Sequence, residues 1–539
     1  MDLPLGGTDP RTARGASAAR WASLALLGAG AILRLVQYFG RASYWLDELP
    51  LARMIERFST VRLLTQPLRF QQAAPPGFLA IEKLMQKMFG TGESSLRFLP
   101  VAASIATLVL VHRILRRIPV SDWSVAGGCA LVAFSPGLIF HGVELHPYST
   151  DVACAAGLAL LAVKDLPRHR PSVALLAAAA AAPWFSSQSV FVVSAIALVF
   201  VGDAATRRFR GSGRALGFAV VALTSAAAAT LVSRALITPR TLSYFREFWG
   251  LGFAPPVFRV ALFGEWLGGA IRGFWTMFLE FPAPRVGLAL LLAGILSRSR
   301  NPGVLAVLLL PAAAALAAAS FQLYPFQDRA VAFLAPAAIV LSASSLDLLG
   351  FFAGRVREVA RAGGFALLAA LALIGLARHH PFSERQATRE LLKRLARLRQ
   401  PGDSIFVESG ARQAFAFYGP PAGLTLDGVT LGPCRGPGPR AFAESLAPLA
   451  GRRRVWIFEA DLLPSNRADK FFDAYLPGRG RRLFAMAGEP RHANTRVLLV
   501  DLSGKPRSNW PFDQPAESHP RRRPSCVGGP RVPDPEFVP

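Results

Sequence analysis

From Trp21 to Ala377 the chain repeats one pattern, an apolar run closed by a short break that carries arginine or proline. Such runs lie near 21–39, 97–115, 123–141, 147–163, 172–184, 187–202, 215–237, 285–297, 302–324, 329–350 and 363–377. Inside a bilayer every backbone N–H and C=O must find a partner within the segment, so runs of this length and polarity fold as helices. Several of the runs are shorter than the roughly 17–25 residues of a full span, which leaves their ends open by a few positions. The pattern predicts an α-helical polytopic membrane protein with about eleven transmembrane helices. Charged residues make up 17% of the chain and hydrophobic ones 52%. Soluble globular proteins carry roughly 25% charge, so a single water-soluble core is excluded.

The arginines fall at alternate breaks. Arg11, Arg14 and Arg20 precede the first run, Arg113, Arg116 and Arg117 follow the second, and Lys164, Arg168 and Arg170 follow the fourth. Arg207, Arg208, Arg210 and Arg214, then Arg298 and Arg300, then Arg355, Arg357 and Arg361 continue the series. By the positive-inside tendency these breaks are cytoplasmic, so residues 1–20 form a cytoplasmic tail and everything beyond 378 lies outside. Residues 40–96 then form a long first outer loop. Its own Arg53, Arg57, Arg62 and Arg69 carry little weight, because long loops are weak orientation signals. The formal charge of +26 is spread over inner breaks and a tail rather than gathered on one soluble face. That distribution excludes nucleic acid as the partner and suits anionic lipid headgroups. Trp21–Leu33 runs into Arg34 and Gln37 without a small-residue cleavage site, so it reads as a retained first span.

Beyond Ala377 the texture changes. Ser404–Glu408, Val455–Glu459 and Arg496–Asp501 read as buried strands, with helical stretches near 411–418, 441–449 and 468–475 between them. A small extracytoplasmic α/β domain is expected over 378–503, and a disordered, basic, proline-rich tail over 504–539. Cys434 and Cys526 lie in this outer region and are available to pair.

The polar residues at the outer ends of the runs form an ordered series. Leu46-Asp47-Glu48 follows the first run, and Ala74-Pro75-Pro76-Gly77-Phe78-Leu79 opens an amphipathic helix over 77–88. Phe89-Gly90-Thr91-Gly92-Glu93-Ser94-Ser95-Leu96-Arg97-Phe98-Leu99-Pro100 leads into the second run, and Glu144-Leu145-His146-Pro147-Tyr148 closes the third. Asp328-Arg329 later precedes Phe333-Leu334-Ala335-Pro336. In this order and outer location the series resembles the GT-C membrane glycosyltransferases that use polyprenyl-phosphate sugars, the group of the protein O-mannosyltransferases and the lipid A aminoarabinose transferases. Two departures stand out. The Glu-Lys pair that precedes the double proline in the aminoarabinose branch is replaced by Ala73 and Ala74, and His146 stands where many relatives have arginine.

The resemblance implies a GT-C-like transmembrane domain over 21–377, in the plasma membrane of a bacterium, with the active site on its first outer loop. It implies transfer of a sugar from a polyprenyl-phosphate-linked donor to a cell-envelope acceptor, with Asp47 as general base and Glu48 in a supporting role, orienting Asp47 or the acceptor. Two adjacent carboxylates at a membrane boundary are costly to desolvate and contribute nothing to spanning, which supports a chemical role. The competing structural reading has Asp47 as N-cap of a helix over 50–58.

Arg329, at the mouth of a span, is the expected ligand of the lipid phosphate, since a guanidinium holds phosphate oxygens bidentately. Interface snorkelling is its structural alternative. Glu144, His146, Tyr148 and Asp151 are expected to form a hydrogen-bonded polar cluster; a divalent cation held by His146, Glu144 and Asp47 is the less favoured alternative. Arg97 is expected to pair along one helical face with Glu93, four residues earlier, and to line the substrate region. The aromatic loop 238–284, with Tyr244, Trp249, Trp266 and Trp275, suits an interfacial lid or acceptor guide. A non-catalytic lipid or sugar transporter and an envelope scaffold are the alternatives from other classes. A transporter is disfavoured because no repeat or paired broken helices are visible.

Overall fold

A computed structural model describes residues 10–207, 212–382, 387–425, 428–432, 439–460, 468–487 and 495–504. Cys434, Cys526 and the expected tail from 505 onward fall outside the described residues. The chain divides into two compact units. One comprises 1–40, 59–68 and 73–382; the other comprises 41–58, 69–72 and 383–539. The first outer loop is therefore split, and the stretch that carries Asp47 and Glu48 groups with the C-terminal domain.

In the first unit all eleven expected runs are helical. Among the described residues seven helices are long and apolar enough to cross a membrane: Gly15–Phe39, Phe98–Arg117, Ser189–Thr206, Ser212–Ala235, Pro302–Ser320, Asp328–Phe351 and Gly354–His379. Val173–Phe185 and Pro284–Ser297 are shorter apolar helices. The first helix starts at Pro10 rather than Trp21. Its leading turns, residues 10–20, are rich in alanine, so the helix extends through about half of the expected tail.

The expected span 123–141 is not one straight rod. Asp122–Phe134 and Pro136–Val143 meet at a 57° bend. Pro136 has no N–H to continue the ladder, which frees carbonyls one turn earlier. Arg34 takes them: its Nη2 donates to Val132 O at 2.9 Å and its Nη1 to Ala133 O at 3.3 Å and Gly30 O at 3.0 Å. Its Nε donates to Ser104 Oγ at 2.7 Å, and the side chain is fully buried. An arginine that from sequence only interrupts the first span is thus the donor that closes a broken helix end.

Close helix approach relies on small residues, as it does where apolar surface alone gives helices no reason to associate. A Cβ on Gly137 would collide with the Phe278 carbonyl, and one on Gly294 with the Leu341 carbonyl. The core runs from Leu108 and Val111 through Val132, Val152, Ile196 and Phe218 to Phe278, Phe333 and Ile339.

The second unit contains a five-stranded sheet in the order β2-β1-β3-β5-β4, where β1 is Ser404–Val407, β2 Val429–Leu431, β3 Val455–Ala460, β4 Arg481–Ala487 and β5 Thr495–Asp501. β1 runs parallel to β2 and β3, while β5 is antiparallel to β3 and β4. The three expected strands are the central β1, β3 and β5. β3 is buried on both faces, which is why it reads as a continuous apolar run. The edge strands β2 and β4 escape the sequence reading because β2 has three residues and β4 opens on Arg481-Arg482 with most of its residues exposed. Helices Arg412–Tyr418, Pro439–Leu446 and Ala468–Arg479 match the expected helical stretches. Phe406, Leu449, Val455, Ile457, Phe472, Leu498 and Val500 form the core of one face.

Two charge clusters brace this domain. Asp403 accepts from Arg454 Nε at 2.7 Å, from Trp456 Nε1 at 2.8 Å and from the Gln400 amide at 2.9 Å. Burial raises its proton affinity, but these donors outweigh burial and hold the carboxyl below its usual range. Glu459, fully buried, meets Arg496 Nε at 2.5 Å, and burial pushes it up to about 7 against the pull of that arginine.

Candidate active site

Asp47 and Glu48 occupy the turn that opens helix Glu48–Arg57. Asp47 stands at the N-cap position with helical φ and ψ of −77° and −35°, and its carboxylate makes no capping hydrogen bond. The capping role is therefore not realised, and the helix starts two residues before the expected 50. An N-cap residue normally adopts extended backbone so that its side chain can turn back on the amides; Asp47 does not. Glu48 is buried and does the local structural work instead. Its Oε2 accepts from the Trp45 amide at 3.3 Å, while the Glu48 and Leu49 amides donate to the Trp45 carbonyl at 3.0 Å each. Glu48 closes the turn on which Asp47, only half-buried, is displayed.

In the first unit, Glu144, His146, Tyr148 and Arg329 form one cluster. The His146 ring stacks on Tyr148 with centroids 5.1 Å apart. The Arg329 guanidinium carbon lies 5.4 Å from the Tyr148 ring centroid and 5.6 Å from that of Trp249. Both rings therefore lie within cation–π range of the guanidinium. Glu144 Oε2 meets His141 Nδ1 at 2.6 Å. The His141 ring lies parallel to Phe278 at 5.6 Å and edge-on to Tyr148 at 5.4 Å. A cavity of about 10 Å³, the size of one water, lies among Arg34, Ser104, His141, Tyr148 and Ser149.

Several elements bring Arg329 to the rings. Asp328 adopts positive φ (46°), a conformation that aspartate tolerates better than most residues and that redirects the chain into the turn Asp328–Leu334. Tyr324 Oη donates to Ala330 O at 2.7 Å and fixes that turn. The Phe326 amide donates to Gly252 O at 2.7 Å and Gln322 Nε2 to Ala254 O at 2.7 Å, stitching this segment to the loop that follows Trp249. The aromatic loop thus contributes a site residue through Trp249. Trp275, by contrast, is packed into the core at 3% exposure.

Arg97 is buried at the junction between helices Glu93–Leu96 and Phe98–Arg117, and its amide donates to the Glu93 carbonyl four residues earlier at 3.2 Å. Pro75 and Pro76 take the N-cap and first-turn positions of helix Pro76–Phe89, as expected of a turn-setting pair. On that helix Glu82 is fully buried, and burial pushes its carboxyl well above the usual range. Among the described residues no group of three or more His, Cys, Asp or Glu side chains is arranged to hold a metal ion.

His141 and Ser104 escaped the sequence reading, which had Trp249 only as part of an aromatic lid or acceptor guide and Arg34 only as a polar interruption of the first span. His141 lies three residues before Glu144, a spacing that places the two on one helical face, and this was the available signal. The pairing of Trp249 with Arg329, 80 positions apart, gave none.

Residues 73–231, which contain the double proline, Arg97 and the Glu144–Tyr148 segment, match the profile of the family described as dolichyl-phosphate-mannose-protein mannosyltransferase. The matched stretch lies within the helical first unit and covers less than a third of the 539-residue chain. Solved structures similar to it include ArnT from Cupriavidus metallidurans in the apo state, at 13% identity and a TM-score of 0.46, covering 93% of this chain and 100% of that one. The same protein bound to undecaprenyl phosphate is similar at 13% identity and TM-score 0.46, covering 88% of this chain and 97% of that one. The Archaeoglobus fulgidus oligosaccharyltransferase in the apo form matches at 13% identity and TM-score 0.42, covering 70% of this chain and 58% of that one. No curated protein sequence matches the chain.

Proposed function

We propose that the chain transfers a sugar from a polyprenyl-phosphate-linked donor to a hydroxyl of a cell-envelope acceptor, on the outer face of a bacterial plasma membrane. The observation that carries this reading is the Arg329 guanidinium held between Tyr148 and Trp249 beside His146. Such a group suits a phosphodiester at the end of a membrane-embedded chain. In the reaction the Asp47 carboxylate takes the proton of the acceptor hydroxyl, and the hydroxyl oxygen bonds to the anomeric carbon. The bond from that carbon to the phosphate oxygen breaks, and its electron pair leaves with the lipid phosphate, whose charge Arg329 offsets. Attack opposite the leaving group inverts the anomeric centre. Glu48 orients Asp47 through the Trp45 turn.

The donor-binding half is tested at Arg329. With undecaprenyl phosphate as probe and a panel of undecaprenyl-phosphate sugars as donors, Arg329→Lys is expected to raise the donor KM by about tenfold or more at nearly unchanged kcat. Lysine keeps the charge and loses the fork, a loss on the order of 1.4 kcal/mol per tenfold. Arg329→Ala is expected to be worse. Normal probe binding in both variants would transfer the phosphate role to Arg53, Arg57 or Lys83.

Orientation has its own test, motivated by the alternating arginines. Cysteine introduced at Thr65 is expected to react with an impermeant thiol reagent in intact cells, and cysteine at Ser212 is not. The reverse pattern would put the N-terminus outside and reject the outer-face assignment.

A further inference from the structure

The C-terminal domain and the Asp47 segment are joined by bonds that neither stretch of sequence announces. Residues 41–45 have no regular structure, so their backbone groups need partners outside any helix or ladder. The Tyr44 amide donates to Tyr418 Oη at 2.6 Å, across 374 positions of sequence. The Tyr44 ring, fully buried, meets Phe417 edge-on at 5.8 Å. Tyr418 and Phe417 are the last residues of helix Arg412–Tyr418, which follows β1.

A second tie comes from helix Thr388–Leu398. Its N-cap, Ala387, makes no side-chain cap, which leaves first-turn amides in need of an acceptor. Ser43 Oγ supplies one, accepting from the Arg389 amide at 3.1 Å. The Arg389 guanidinium in turn donates to the Arg41 carbonyl. Three successive anchors at 41, 43 and 44 thus lead directly into the Trp45–Glu48 turn.

We propose that the C-terminal α/β domain is a positioning element of the active site: helices Thr388–Leu398 and Arg412–Tyr418 set the place of the Asp47 carboxylate through Ser43 and Tyr44, and Tyr418 is the principal positioning residue. This rests on the assignment of Asp47 as base. A base displaced by an ångström loses much of its effect, while binding of the donor lipid is untouched. Tyr418→Phe removes only the hydroxyl that accepts from Tyr44 and keeps the ring against its neighbours.

The test uses the full chain in membrane vesicles supplied with a mixture of labelled undecaprenyl-phosphate sugars. Tyr418→Phe is expected to lower kcat by about tenfold or more with donor KM within about twofold, and Ser43→Ala to act in the same direction. Hydrogen exchange at residues 42–48 is expected to rise in Tyr418→Phe, while that of the β1, β3 and β5 amides stays unchanged. A domain-wide rise in exchange would mean general destabilisation and overturn the positioning role. Turnover kept in Asp47→Asn would reject the base assignment. Turnover lost in Asp47→Asn but kept at the wild-type level in both Tyr418→Phe and Ser43→Ala would reject positioning by the domain and leave the base assignment standing.

Discussion

Asp47→Asn is expected to abolish sugar transfer, with a loss on the order of a hundredfold or more in kcat and unchanged amounts of folded protein in the membrane. Asparagine preserves the size of the side chain and removes its capacity to take a proton. The structure sharpens this expectation because the carboxylate makes no capping bond to helix Glu48–Arg57, so the substitution costs that helix no cap. Glu48→Gln should be milder, since a glutamine oxygen still accepts from the Trp45 amide. The assay is label transfer from the donor panel, run beside thermal unfolding of each variant. Near-wild-type transfer by Asp47→Asn would remove the base from the proposed mechanism and leave the turn as a structural feature.

The second large effect is on stability. Arg34→Leu is expected to destabilise the membrane unit by about 3 kcal/mol or more, because it leaves the carbonyls of Gly30, Val132 and Ala133 and the Ser104 hydroxyl without their buried donor. Lysine has one ammonium in place of the planar fork and can reach only some of these acceptors, so Arg34→Lys should recover part of the loss. Thermal inactivation in detergent, read by loss of monodisperse protein, measures the effect. An unchanged midpoint in Arg34→Leu would mean that the 57° bend is held by Pro136 and packing alone. Because the bent piece carries His141 and precedes Glu144, the variant should also lose affinity for undecaprenyl phosphate.

What was legible in the chain follows from the range of the forces involved. The eleven helical runs could be read because a bilayer penalises every unpaired backbone group, and that penalty writes itself into local composition. The central strands β1, β3 and β5 could be read because burial on both faces demands continuous apolar residues, whereas the exposed edge strands left no such trace. Asp47, Glu144, His146, Tyr148 and Arg329 were visible as polar residues in an ordered series at the ends of apolar runs. Their partners were not. Trp249 beside Arg329 and Arg34 beneath the broken helix are contacts between residues far apart in sequence, chosen by packing rather than by local propensity.

The sequence by itself determined that this is a helical membrane protein with an appended α/β domain, and which polar residues are candidates for chemistry, since periodicity, hydropathy and charge placement are local properties. Only the tertiary structure decided that helix 122–143 is broken and capped by Arg34, that Asp47 is not a helix cap, and that its turn is anchored by Ser43 and Tyr44 to the C-terminal domain. The physical reason is that each of these depends on a backbone group left unpaired by local structure, and an unpaired group can be satisfied by any donor or acceptor the fold brings near it.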